Sequence, residues 1–194
     1  MRNIFLHMMV SLDGYIEGPN KELDWHFVDE EFEIYSKEML HSVDGILLGR
    51  NVYELFAQFW PNAIDSPATA PDPAKPEHHL EAAALLNSLP KYVVSTTLEK
   101  PDWNNTYIIG NNIAVNITKL KQQPGKDIAL FGGARLINSL IRLDLIDEYR
   151  MIVNPVLLGG GIPLFSNENG KIDMKLTGIR KFKSGAVVLK YVPL

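Results

Sequence analysis

Residues 3–10 are apolar at nearly every position, and Ser11-Leu12-Asp13-Gly14 then breaks the run with a turn. That pattern predicts a first strand buried on both faces. Between residues 29 and 41 the spacing changes. Phe32, Tyr35 and Met39 recur at helical intervals, with acids at the start where they suit the helix dipole. Residues 45–48 read as a short buried strand, followed by Gly49-Arg50 and a helix through Val52, Tyr53, Leu55 and Phe56. Residues 61–78 hold Pro61, Pro67, Pro71, Pro73 and Pro76, which predicts a surface loop long enough to act as a lid. A helix returns over residues 79–89, with Ala82, Leu85, Leu86 and Leu89 on one face.

Strands are expected at 92–95, 107–109 and 128–131, with a short helix around 119–122 between the last two. Gly132-Gly133 then opens a helix whose Leu136, Ile137, Leu140 and Ile141 face the core. After Leu145 the alternation stops. Residues 147–158, 174–182 and 186–192 read as strands without helices between them, and Ser184-Gly185 marks a tight hairpin. The whole predicts one α/β domain over 1–194. Its sheet is mainly parallel and flanked by helices, and an antiparallel C-terminal meander lies on its edge.

Composition narrows the chemistry. A chain of 194 residues without cysteine has no thiol nucleophile, disulfide or zinc knuckle, and fits the cytoplasm. A net charge of −4 speaks against general nucleic-acid binding. An anionic ligand must therefore be held by a local site rather than by the overall field. No stretch reaches the ~18 apolar residues that would span a membrane. The first strand runs into a Gly turn without a cleavage signature, so it does not read as a signal peptide.

In open α/β sheets ligands bind beyond the carboxyl ends of the strands, where turns enter helices. Three such turns stand out: Leu48-Gly49-Arg50-Asn51, Val94-Ser95-Thr96-Thr97 and Phe131-Gly132-Gly133-Ala134-Arg135. Free N–H groups at helix starts favour phosphate, arginine adds a bidentate contact, and hydroxyls can take a second phosphate. No G-x-G-x-x-G follows a strand, and no Walker A lysine is present. His26, His78 and His79 lack well-spaced acidic partners, so no metal is expected.

These residues resemble a known family. Ser11-Leu12-Asp13-Gly14-Tyr15-Ile16, Leu47-Leu48-Gly49-Arg50-Asn51-Val52-Tyr53-Glu54, Phe131-Gly132-Gly133-Ala134-Arg135-Leu136 and residues 154–165 occur in the order found in the dihydrofolate-reductase-like superfamily. The chain is most similar to the branch holding the reductase domain of bacterial riboflavin biosynthesis. The resemblance implies an NADPH-dependent reductase of a small heterocycle, of pteridine or ribosylamino-pyrimidine type. It assigns Gly49, Arg50, Asn51 and Val52 to the cofactor and Ser95, Thr96 and Thr97 to the adenosine 2′-phosphate. Gly132 and Gly133 go to the pyrophosphate, with Phe131, Ala134, Arg135 and Leu136 beside them. Val10 and Asp13 flank the nicotinamide. Asp13, Trp25, Tyr53, Leu158 and Gly160 line the substrate, with Asp13 the candidate catalytic residue.

Several alternatives stay open at this stage. Asp13 either meets substrate or closes an Asx turn on its own backbone. Trp25 and Trp60 either stack on a flat ring or pack in the core. Any of Asp29, Glu30, Glu31 and Glu33 either supplies a proton or merely suits the helix start, and Asp24-Trp25-His26 replaces the proline–tryptophan approach of dihydrofolate reductases. A non-catalytic nucleotide-binding module and a flavin-nucleotide binder remain as rival functions. The resemblance also implies a homodimer paired through sheet edges and C-terminal strands.

Overall fold

The computed structural model describes residues 1–63, 77–165 and 167–194, without the side chains of 77–79. The opening apolar run forms β1 (Ile4–Ser11), and after a turn comes a short β2 (Tyr15–Glu17). The chain continues through α1 (Glu30–Ser42), β3 (Val43–Gly49), α2 (Arg50–Ala57) and α3 (Glu77–Ser88). Next come β4 (Lys91–Val94), β5 (Thr106–Ile109), α4 (Ile113–Gln122), β6 (Asp127–Leu130) and α5 (Ala134–Arg142). The last elements are β7 (Glu148–Asn154), β8 (Ile162–Pro163), β9 (Met174–Lys181) and β10 (Val187–Pro193).

Eight strands form one sheet in the order β5-β4-β3-β6-β1-β7-β10-β9. The first six of that series are mutually parallel. Because β1 lies between β6 and β7, it must be apolar on both faces, and Ile4, Phe5, Leu6 and Val10 are all buried. Alternation along β1 divides the interior. Ile4 and Leu6 pack under α4 and α5 with Ile117, Ile137 and Leu140. Phe5 packs on the other side with Met39 of α1, Tyr53 of α2 and Leu86 of α3.

Three expectations change. The strand expected at 147–158 was grouped with the antiparallel meander, yet β7 runs parallel to β1, in register from Phe5↔Glu148 to Ser11↔Asn154. The reason is α5, which carries the chain from β6 across β1 before β7 begins. The strand also stops at Asn154, because Pro155 has no N–H for a ladder. Finally, β10 pairs antiparallel with both β7 and β9, so the last strands are not in meander order.

The ends of the proline-rich segment are helical. Trp60–Asn62 forms a 3-10 turn with proline in its first positions, and α3 begins at Glu77. Residues 64–76 and the side chains of His78 and His79 lie outside the described residues. Among the described residues no helix is long and apolar enough to cross a membrane.

Candidate functional site

The carboxyl ends of β3, β4 and β6 surround a cleft of about 800 Å³. One side is built by Gly49, Arg50, Asn51, Val52 and Glu54, and the floor by Val94, Ser95, Thr96, Thr97, Gly110 and Ile113. Gly133, Ala134, Arg135, Leu136 and Ser139 complete it, and Ile16, Glu17 and Ile162 form the facing wall. Eleven of the residues expected to meet a cofactor thus share one cavity.

Helix starts explain what the cleft can receive. The first turn of α1 is finished in the ordinary way: Asp29 accepts from the Phe32 amide, and Glu30, Glu31 and Glu33 stand in that turn. The three helices bordering the cleft differ. None of α2, α4 and α5 has a side-chain N-cap bond or an acid in its first turn. Their N–H groups are left for another acceptor. Arg135 even places positive charge at the positive end of α5, where it is unfavourable unless an anion binds there, and Arg50 does the same on α2 with Glu54 as its counter-charge at 2.6 Å.

Gly132 holds two of these turns together, since its carbonyl accepts from the Gly49 amide at 2.7 Å. Its φ is +91°, a backbone conformation that side chains rarely adopt, and this is what favours glycine there. In the turn after β4, Ser95 is buried and its Oγ accepts from the amides of Thr97 and Leu98. Ser95 therefore shapes the turn from inside, while Thr96 and Thr97 remain exposed. Phe131 sits behind the cleft, edge-on to His7 and Phe56. Val10 is buried and does not line the cleft, and its carbonyl accepts from Asn154 Nδ2.

The facing wall is a two-stranded ribbon of β2 and β8, in which Tyr15 pairs with Pro163 and Glu17 with Ile162. Asp13 anchors it. Its Oδ1 accepts from Ser11 Oγ at 2.6 Å and from the Leu158 amide at 3.1 Å, and its Oδ2 from the Gly159 amide at 2.8 Å. The Ser11 hydroxyl, with those two amides, lowers the Asp13 pKa to about 2. Asp13 is thus a bracket between two loops, and its own backbone amide is among the groups that lower its pKa, as an Asx turn would have it. Leu158 and Gly160 lie in the loop it holds and do not line the cleft.

The remaining substrate-side residues are placed otherwise than expected. Tyr53 is 1% exposed. Its hydroxyl donates to Asp102 Oδ1 and accepts from the Trp103 amide, both at 3.1 Å, so it is a core residue on the inner face of α2. Trp25 is also buried, with Nε1 donating to the Glu22 carbonyl and its ring packed edge-on against His26. Trp60 is half-buried beside Phe56 and Phe59. At the start of α1, Asp29 also accepts from the Ser184 amide and Glu31 from the Lys183 amide, which ties both to the hairpin between β9 and β10. Among the described residues no three His, Asp or Glu side chains gather in a way that would hold a metal ion.

The sequence did not flag Glu17, Glu54 or Ile162 as lining. Glu54 was discoverable, because it stands four residues after Arg50 on a helix and so shares its face. The ribbon residues were not, since strands of two and three residues carry no periodicity.

An open sheet of six parallel strands, closed at one edge by an antiparallel pair and bordered by uncapped helix starts, defines an α/β protein of the dihydrofolate-reductase-like, reductase-type fold. The chain belongs to the family of the RibD C-terminal domain, whose model matches residues 2–188. It is 40% identical over 190 residues to YyaP, an uncharacterized protein of Bacillus subtilis (strain 168), covering 98% of this chain and 94% of that one. Among solved structures it is similar to a protein ascribed to riboflavin biosynthesis in Shewanella sp. PV-4, with a TM-score of 0.70, 23% identity and coverage of 100% and 99%. It is also similar to dihydrofolate reductase from Enterococcus faecalis complexed with NADP(H), with a TM-score of 0.63, 11% identity and coverage of 98% and 96%. At these identities the two structures speak for the fold.

Proposed function

We propose that the chain binds NADPH in this cleft and reduces a small heterocyclic substrate of pteridine or ribosylamino-pyrimidine type. The observation that carries the proposal is the convergence of three uncapped helix starts, Arg50, Arg135 and the Thr96 and Thr97 hydroxyls on one cavity. Two separated anion-receiving turns suit a nucleotide with a pyrophosphate and a further phosphate. The starts of α2 and α5, joined through Gly49 and Gly132, would hold the pyrophosphate, and the turn after β4 the 2′-phosphate. The enterococcal reductase of the same fold binds NADP(H), which supports this choice.

Bound NADPH would supply the hydride; the protein contributes position and electrostatics. The ribbon of β2 and β8 would close the nicotinamide end, with Ile16 and Ile162 excluding water. Reduction of a ring or carbonyl also consumes a proton. Asp13, with its pKa lowered to about 2 and both oxygens engaged, is poorly suited to supply it. Asp29 and Glu31 are committed to the hairpin. That commitment favours a second reading, a binding module that has kept the nucleotide site without turnover. We further propose that a second copy of the chain pairs with this one through its C-terminal strands.

Parallel titrations with NADPH and NADH, followed by tryptophan fluorescence, test the cofactor. NADPH should bind at least about tenfold tighter, a difference of ~1.4 kcal/mol. Binding of neither nucleotide overturns the proposal. NADPH binding without its oxidation by dihydrofolate or the ribosylamino-pyrimidine removes the named substrates, and silence with every heterocyclic acceptor leaves the binding module.

A further inference from the structure

The two arginines of the cleft are held differently. Arg135 is exposed and makes no ion pair with a described residue. Arg50 is clasped: its Nε donates to Glu54 Oε1 at 2.6 Å, and its Nη1 donates to Thr97 Oγ1. Residues four apart on α2 share a face, so the carboxylate is always within reach. Helix stability is a weak reason for the pair. Acid before base is the favourable order along a helix, and here the base comes first, at the positive end of the dipole.

The geometry assigns a role to the clasp. Guanidinium has five donors in a rigid plane, and phosphate is read best by two of them together. With Glu54 on Nε, the Nη edge is turned toward the turn that exposes Thr96 and Thr97. An arginine already fixed in that direction loses less rotamer freedom when an anion arrives.

We propose that Glu54 is a positioning residue. It orients Arg50 toward the turn after β4, and the discrimination between nucleotides with and without a 2′-phosphate resides in this pair. The inference rests on the NADPH reading above. One effect opposes it, because a carboxylate lining the same cleft repels phosphate. Both side chains are substantially open to water, at 43% and 42% exposure. Solvent and salt therefore screen the repulsion, and orientation prevails.

The test measures dissociation constants of NADPH, NADH and adenosine 2′-monophosphate for the wild type, Arg50→Ala, Glu54→Ala, Glu54→Gln and the Arg50→Ala/Glu54→Ala double variant. Glu54→Ala should weaken NADPH and adenosine 2′-monophosphate roughly three- to tenfold and leave NADH unchanged. Glu54→Gln should retain most of the affinity, because its amide oxygen still accepts from Nε. The double variant should match Arg50→Ala alone. Tighter NADPH binding by Glu54→Ala would make Glu54 a repeller and overturn the inference. Equal losses for NADPH and NADH would do the same, by reducing Glu54 to a support of α2. Wild type that binds adenosine 2′-monophosphate through the pair but not NADPH would sink the cofactor reading and leave the clasp standing. Wild type that binds none of the three ends both.

Discussion

Asp13 shows how much a single residue's meaning depends on its partners. The Ser-Leu-Asp-Gly turn was legible, and so was its place beside the site. Its second attachment was not, because Leu158 and Gly159 are far away in sequence. Since its folded pKa is lowered, the stabilisation it gives the ribbon is complete above the unfolded carboxylate range. It is then lost as pH falls toward about 2. Protection of the Leu158 and Gly159 amides, taken relative to their intrinsic exchange rates, should therefore stay high at neutral pH and fall between about pH 4 and pH 2. Asp13→Asn should bring that loss of protection to neutral pH and weaken nucleotide binding, since an amide nitrogen would face an N–H donor. Loss of turnover at unchanged nucleotide affinity and exchange would instead return Asp13 to a chemical role. Tyr53 teaches the complementary lesson. Its neighbours Asn51 and Glu54 face the cleft, but helical geometry turns Tyr53 inward to Asp102 and Trp103.

Elements were legible in proportion to their length. The periodicity of α1 and α5 and the nearly continuous apolar run of β1 stood out because each spans eight residues or more, and β3 showed only through its apolar half, residues 45–48. Only the end of α4 was anticipated. Its start follows Asn112 in a left-handed conformation, at φ +58°, without a side-chain cap. The turn between β6 and α5 is the element on which the cleft depends most. A Cβ at position 132 meets Met8 and Ile137 Cδ1, and φ +91° is itself strained for any side chain. Gly132→Ala should cost about 1–3 kcal/mol from the backbone alone, read as a lower urea midpoint. It should also open the contact to Gly49 and weaken both nucleotides together. A variant as stable as the wild type would mean that this turn is not built as described.

At the scale of the molecule, one face of the sheet is incompletely covered. Beyond α5, a hollow of about 370 Å³ is lined by Ile141, Tyr149, Met151, Met174 and Tyr191, with Phe165 and Ile172 at its rim. Leu176 and Ile179 on β9 are 45% and 59% exposed. An exposed apolar patch of this kind marks a contact, and it is where the proposed pairing of two copies would lie. Sedimentation velocity should show a dimer, and Leu176→Glu with Ile179→Lys should give a monomer that keeps its secondary structure. A monomeric wild type at micromolar concentration would refute the pairing.

The position of β1 has a consequence for how the chain is made. Strand β1 lies inside the sheet, yet both its neighbours are encoded after residue 126, with Ile4 against Ile128 and Phe5 against Glu148. At ordinary translation rates an apolar strand with two open edges waits on the order of 10 s for its partners. During that interval β3 and β4 can pair with each other, but nothing they form shields β1. A nascent chain halted before β6 should therefore be a substrate for holding chaperones, and fragments of this protein should aggregate where the whole does not.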